Sequence, residues 1–173
     1  MTDLLLLATL LDGPKHGYAL KKRAGLITGQ QNLHNNIVYP LLKRFVREGW
    51  VGRRKAAGQR GQTRAVYSLT SAGKRALLSR LETFSEKDAA SAEAFHLRVA
   101  LFGILGKDAR LRILRARDLY LSACEARLET LQEKIRMSDW PSEVVRCLRA
   151  NAGQERQWIR SLLRKAAQDP RAS

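Results

Sequence analysis

The clearest helical pattern in the chain lies between His34 and Glu48. Val38, Leu42 and Phe45 recur there at spacings of four and three residues, which places them on one side of a helix. Polar and basic side chains occupy the other sides, and Gly49 is a typical residue just past a helix end. The pattern predicts a helix over residues 34–48 that buries a single apolar stripe.

After this helix the pattern changes to that of two short strands. Residues 50–55 and 64–69 contain β-prone side chains such as Val51 and Val66. The loop between them, AAGQRGQT over residues 56–63, has two glycines that permit a tight bend. A helix followed by a basic β-hairpin is typical of the DNA-reading end of a winged helix-turn-helix.

Two further helices are predicted before the turn at Gly29 to Asn32. The first runs from about Thr2 to Leu11, and because it is apolar all round we expect more than one side to be covered, for instance by a second subunit. The second runs from about His16 to Ile27, with its cations near DNA phosphates. Its predicted inward residues are Tyr18, Leu20 and Ala24, and the outward ones are Lys15, Lys21, Lys22 and Arg23.

The second half of the chain is predicted to be helical. Thr70 caps a helix that runs to about Phe84, and the polar residues 85–91 are the predicted linker. Three helices follow, over about residues 92–105, 107–136 and 141–167. The predicted fold class is mainly α: a winged helix-turn-helix domain (1–84), the linker, and an all-helical antiparallel hairpin dimerisation domain (92–173).

Two long apolar seams support the hairpin. One runs from Leu114 to Ile135 and is broken at Arg117, and the other runs from Val145 to Leu162 and is broken at Glu155. Their apolar edges exceed what one hairpin hides, so we expect a partner chain. The two polar interruptions either fix the register of a dimer or lie at solvated edges, and the second interpretation is preferred.

The chain is strongly basic, and its positive charge is concentrated in the first half. Lys and Arg number 32 against 16 Asp and Glu, for a net charge of +16. Residues 1–80 hold 15 cations and 3 anions, and residues 81–173 hold 17 and 13, so the first half carries +12 and the second +4. This excess of positive charge predicts a polyanionic partner, and nucleic acid is a better candidate than an anionic membrane.

No apolar run has transmembrane length and no signal peptide is recognisable, so we expect a cytoplasmic protein without a membrane partner.

The sequence carries no motif for catalysis or for metal binding. Cys124 and Cys147 lie far apart and match no metal-ligand spacing, and the three histidines are scattered. Paired carboxylates, a Ser-His-Asp set and a phosphate loop are missing as well. The chain is therefore predicted not to be an enzyme and to use no cofactor. Cys124 is interpreted as a small core residue, with redox sensing as the alternative.

Three blocks of sequence resemble the PadR family of bacterial transcriptional regulators. They are HGYAL at 16–20, VYPLLKRFVREGWV at 38–51 and VYSLTSAG at 66–73. The helical second half is similar to the dimerisation region of the longer members. The resemblance implies a homodimer that binds double-stranded DNA at an inverted-repeat operator, and repression that is relieved by a small, often phenolic or aromatic, effector.

The resemblance also implies several DNA-binding side chains. It places Tyr39 and Lys43 in the interface and puts Asn35 and Asn36 at the tip of the third helix, where many members have small residues, Pro or Gly. An asparagine amide can pair with adenine in the major groove, so the two asparagines are candidate base readers; the alternative is that one of them only caps the helix. Tyr39 can donate its hydroxyl to a phosphate or serve as a half-buried packing residue.

The remaining DNA-binding candidates are cations. Lys43 and Arg44 suit phosphate contacts better than base readout. Arg60 and Arg64 of the wing suit a narrow minor groove, and Lys15 lies where the second helix approaches the DNA backbone. No residue is assigned to the effector.

Together these features predict a homodimeric, sequence-specific DNA-binding transcriptional regulator that acts as a repressor. The alternative is a non-specific nucleic-acid-binding or chromosome-associated protein that uses the same basic half. Salt-dependent binding without sequence preference would favour that alternative.

Overall fold

The structure is a computed structural model that describes residues 1–28, 34–57 and 63–168 of the chain. The chain divides into two compact units, Met1–Thr83 and Phe84–Ser173. Across the described ranges, no helix combines the length and the apolar character that crossing a membrane requires.

The first unit contains helices and a three-stranded antiparallel sheet. Its elements are α1 (Thr2–Thr9), β1 (Lys15–His16), α2 (Gly17–Thr28), α3 (Asn35–Arg47), β2 (Val51–Ala57), β3 (Thr63–Leu69) and α4 (Ser71–Glu82). The strands lie in the order β1-β3-β2, with Val51 opposite Leu69 and Lys15 opposite Tyr67. The winged-helix arrangement predicted from the sequence is confirmed, and β1 is an additional strand that the sequence pattern did not indicate. The predicted turn at Gly29 to Asn32 lies outside the described residues.

The core of this unit is built on α1. The leucines at positions 4–7 are all buried, and α1 packs against α2, α3 and α4. More than one side of α1 is therefore covered, as expected, and helices of the same chain provide this cover. Val38, Leu42 and Phe45 of α3 are fully buried, which confirms the apolar stripe predicted from their spacing.

The end of α3, the wing and the start of α4 meet at Trp50. The Thr70 side chain accepts a hydrogen bond from the Gly73 amide at 3.0 Å and so caps α4, as predicted. The Thr70 hydroxyl donates to the Gly49 carbonyl at 2.7 Å, and its amide donates to the Trp50 carbonyl at 3.0 Å. The Trp50 ring stacks on Phe45, with centroids 5.7 Å apart. These contacts hold α3 against α4 and the base of the wing.

The second unit is helical in its regular elements. These are α5 (Glu86–Ala90), α6 (Ala92–Ala100), a 3₁₀ helix (Phe102–Ile104), α7 (Lys107–Lys134) and α8 (Asp139–Gln168). Arg156 pairs with Asp118 at 2.9 Å, and Arg149 pairs with Glu129 at 3.2 Å. Residue numbers along α8 decrease as the numbers of their partners in α7 increase, so the two long helices form the predicted antiparallel hairpin.

The segment predicted as a linker, residues 85–91, contains α5. The helix forms there because Ser85 and Asp88 make a capping box: the Ser85 amide donates to the Asp88 carboxylate at 3.1 Å, and the Asp88 amide donates to the Ser85 hydroxyl at 3.2 Å. Burial acts to raise the pKa of Asp88. The hydrogen bonds that its carboxylate accepts from the Ser85 amide and from the Ser85 hydroxyl (2.8 Å), together with the charge of Arg98, 3.3 Å away, lower the pKa overall. The sequence pattern therefore missed a short helix within the predicted linker.

The two polar interruptions of the seams form one buried ion pair. Arg117 Nε and Nη2 each donate to a Glu155 oxygen at 2.8 Å, and Nη1 donates to the Ala89 carbonyl at 2.6 Å. The Arg117 side chain is 4% exposed and that of Glu155 is 18% exposed. The preferred interpretation, that both residues lie at solvated edges, is wrong, because the antiparallel register places them opposite each other in a two-pronged contact.

Candidate nucleic-acid interface

Helix α3 presents a polar face opposite its buried stripe. Asn35, Asn36, Tyr39 and Lys43 are all exposed. His34 is the N-cap residue and makes no side-chain capping hydrogen bond, so the two asparagines are the first two residues of the helix rather than its cap. Their amides are thus placed at the exposed N-terminal end, which is where a recognition helix meets base edges in a major groove.

The wing adds cations beside this helix. β2 and β3 pair from Val51 opposite Leu69 to Ala57 opposite Thr63. Arg64 is exposed on β3. Arg60 lies outside the described residues, so its predicted contact with a minor groove stays a prediction.

Two hollows share the Tyr39 side chain as a lining residue. The His16 hollow, of about 450 Å³, is lined by His16, Gly17, Tyr18, Tyr39, Arg64, Ala65 and Tyr67. The Lys43 hollow, of about 480 Å³, is lined by Tyr39, Lys43, Val46, Arg53, Ala65 and Tyr67. The fold therefore brings three of the predicted side chains together, because Tyr39 lines one hollow with Arg64 and the other with Lys43.

Arg44 is engaged within its own unit instead. Its Nη2 lies 3.9 Å from the Asp3 carboxylate, its Nε lies 3.7 Å from Glu48, and its guanidinium lies over the Phe45 ring. Burial acts to raise the pKa of Asp3, but the N-terminal ammonium, the Leu4 amide and the charge of Arg80 outweigh it, and the pKa lies below its usual value. The charged carboxylate offsets part of the Arg44 charge, which weakens the assignment of Arg44 to a DNA phosphate.

Lys15 also differs from its predicted placement. It belongs to β1, half-buried, and its Nζ donates to the Gly13 carbonyl at 3.3 Å. The structure does not place Lys15 among the residues that line either hollow.

Tyr18 is a residue that the sequence analysis placed wrongly. We expected it to pack inward with Leu20 and Ala24, but its side chain is 74% exposed, whereas Leu20 and Ala24 are fully buried. Residues two positions apart on a helix point about 200° apart, so Tyr18 and Leu20 cannot share a face. The spacing of Leu20 and Ala24 was sufficient to place Tyr18 outside.

Arg53 is a second residue that was missed. It lies on β2 two residues after the buried Val51, and the alternation of a strand puts it on the same face. It lines the Lys43 hollow together with Tyr39 and Val46. The strand alternation was visible in the sequence, but which helix that face meets was not.

Residues 6–79 match the family model described as the transcriptional regulator PadR-like family. Among solved structures, TA0346 of Thermoplasma acidophilum, a proposed transcriptional regulator, is 35% identical over 46% of this chain and 75% of its own, with a TM-score of 0.43. Bacillus subtilis PadR in complex with operator DNA is 19% identical over 95% of this chain and 98% of its own, also with a TM-score of 0.43. No curated protein matches the chain.

Proposed function

Because the chain belongs to the PadR-like family of transcriptional regulators, we propose that it binds an inverted-repeat operator in double-stranded DNA as a cytoplasmic homodimer. It would repress the adjacent gene until a small aromatic effector releases it. One observation carries the proposal: the amides at the tip of α3 and the cations around Tyr39 lie on neighbouring exposed surfaces of one rigid unit. That arrangement can engage bases and phosphates of one duplex together.

We expect Asn36→Ala and Lys43→Ala to weaken DNA binding in different ways. Asn36 is a candidate base reader, so its loss should cost about tenfold or more on the selected operator and little on random duplex. Lys43 is a candidate phosphate contact, so its loss should weaken both duplexes alike and reduce the slope of log affinity against log salt by about 1.8, because the homodimer carries two copies of the residue. Fluorescence anisotropy on both duplexes over a salt series measures both effects.

Two outcomes would contradict this division of roles. Equal losses on both duplexes for Asn36→Ala would remove it from the base readers. A Lys43→Ala variant with the salt slope of the wild type would remove Lys43 from the phosphate contacts. Glu143→Ala, on α8 in the second unit, is the control and should bind both duplexes like the wild type.

Dimerisation is supported by an apolar ridge on the second unit. Trp140, Val144 and Leu148 recur every four residues along α8 and are 83%, 58% and 49% exposed. Ile135, near the end of α7, is 52% exposed. Contiguous exposed apolar surface of this kind marks a protein–protein interface. A second copy of the chain is the partner that a two-fold operator requires.

We expect the protein to be dimeric at micromolar concentration by light scattering. A Trp140→Glu, Val144→Glu double variant should be monomeric, because two carboxylates would have to be buried in the interface. Ser161→Glu, an exposed change on the same helix, should leave the dimer intact. A monomeric wild type, or a double variant that dimerises normally, would contradict the assignment.

The effector part of the proposal is supported by a groove between α7 and α8. The groove encloses about 410 Å³ and is lined by Arg117, Leu121, Cys124, Arg127, Leu128, Leu148, Asn151, Ala152 and Glu155. Its leucines suit an aromatic ring, and the exposed guanidinium of Arg127 suits a carboxylate or phenolate. Leu148 belongs to both the groove and the apolar ridge, which would couple effector binding to the dimer.

A further inference from the structure

We propose that the His16 hollow binds a phosphate of the DNA backbone, with His16 and Tyr18 as contacts that act beside Arg64. The inference rests on the proposed function, since it assumes that α3 and the wing face a duplex. It adds to that function a second backbone-binding site, in which β1 and α2 act together with Tyr39 of α3 and Arg64 of β3.

The orientation of the His16 ring is fixed by the sheet. His16 lies opposite Val66 in the ladder between β1 and β3, and its Nδ1 is 3.3 Å from the Ala65 carbonyl oxygen. A carbonyl oxygen can only accept, so Nδ1 carries the hydrogen of that bond. Nε2 is then the free nitrogen of an exposed ring, and on protonation it becomes a charged donor.

The charge of the hollow suits an anion. The charged or titratable side chains that line it with His16 are Arg64 from β3, Tyr18 from α2 and Tyr39 from α3, together with the mostly buried Tyr67. Lys15, the neighbour of His16 in β1, is bonded to the Gly13 carbonyl. No carboxylate is among the described residues that line the hollow. A guanidinium, an imidazole and phenol hydroxyls can together satisfy several phosphate oxygens.

The position of the hollow favours DNA as the source of that phosphate. It shares Tyr39, Ala65 and Tyr67 with the Lys43 hollow, so the two form neighbouring cationic depressions on one surface. One strand of a duplex that crosses this surface can place a phosphate in each. Gly17 lets the start of α2 lie close to Tyr39. A Cβ at position 17 would lie 3.1 Å from Tyr39 Cε1 and would press on the ring that lines both hollows.

The experiment measures the affinity of the full chain for operator and random duplexes at about pH 6 and about pH 8, at fixed salt. We expect the wild type to bind both duplexes about fivefold or more tightly at the lower pH, because protonated His16 donates a charge-assisted hydrogen bond to a phosphate. His16→Gln keeps a neutral donor for Ala65, so its affinity should not change between the two pH values. His96→Gln, in the second unit, is the control and should retain the response of the wild type.

Two further variants test the other contacts of the hollow. Tyr18→Phe should weaken both duplexes about threefold to tenfold without changing the salt slope, because it removes a neutral hydroxyl. Arg64→Gln should reduce that slope by about 1.8, because it removes one cation from each subunit of the homodimer. Tyr120→Phe, in the second unit, should have no effect. All of these side chains are partly or largely exposed, so unchanged thermal unfolding is expected to confirm that the variants fold.

Several results would overturn the inference. They are a pH response that survives His16→Gln or disappears in His96→Gln, a Tyr18→Phe variant that binds like the wild type, and an Arg64→Gln variant with an unchanged salt slope. Stabilisation of the free protein by inorganic phosphate that is lost in His16→Gln would assign the hollow to a free anion instead. Failure of the wild type to bind any duplex at either pH would count against the proposed function itself, which separates the two.

Discussion

Gly73→Ala is expected to lower the free energy of unfolding of the first unit by about 4 kcal/mol or more. A Cβ at this position would lie 2.0 Å from the Trp50 carbonyl oxygen, 2.8 Å from its carbonyl carbon and 2.9 Å from Leu69 Cδ1. The two nearest neighbours are backbone atoms of Trp50 that α3, the wing and the Thr70 cap hold in place, so they cannot move aside singly. The first turn of α4 would have to leave the site, and the contacts around Trp50 would be lost with it.

Hydrogen exchange resolved by peptide measures this effect in each unit separately. We expect faster exchange in α3, β2, β3 and α4 of the Gly73→Ala variant and unchanged exchange in the second unit. Gly103→Ala is the matched control, because no atom lies within 4 Å of a Cβ at that position; its stability should stay within about 0.5 kcal/mol of the wild type. If amides of the first unit exchange equally slowly in the two variants, the close contact at Gly73 does not limit the stability of that unit, and the prediction is contradicted.

Glu155→Ala is expected to destabilise the second unit by about 3–5 kcal/mol. The substitution removes the carboxylate partner of the Arg117 guanidinium, which is only 4% exposed, and leaves its hydrogen bond to the Ala89 carbonyl. An uncompensated buried charge is costly because the protein interior solvates it poorly. Arg117→Leu combined with Glu155→Leu should recover most of the loss, because two apolar side chains continue the seams that these residues interrupt.

Chemical denaturation followed by exchange in α7 and α8 measures this prediction. Glu143→Ala is the control on the same helix, because its ion pair with Arg146 is largely exposed and should contribute less than about 1 kcal/mol. If Glu155→Ala costs no more than Glu143→Ala, the buried pair does not hold the hairpin. A double leucine variant that is no more stable than Glu155→Ala would contradict the desolvation argument.

The helices of the fold could be predicted because their signals are local. The apolar stripe of α3 repeats within eight residues, and the Thr70 cap precedes its own helix. α5 was missed because its capping box uses Asp88 where Glu or Gln is the usual partner, so the polar segment resembled a linker.

Features that depend on distant parts of the chain could not be predicted in the same way. Arg117 meets Glu155 across 38 positions, and only the register of the antiparallel hairpin brings them together. Arg44 has one local partner, Glu48, which the sequence pattern could have shown, and a second, Asp3, which only the fold brings near it. The His16 hollow combines β1, α2, α3 and β3, so its individual residues were visible in the sequence but their grouping was not.

Selection of bound duplexes from a random pool by the full chain tests the central claim most directly. We expect one inverted repeat to be enriched, with half-site centres about 10 base pairs, or a multiple of that, apart, because two recognition helices related by two-fold symmetry must meet the same face of the duplex. A pool that remains random after selection at low ionic strength, or a protein that retains no duplex, would contradict the claim.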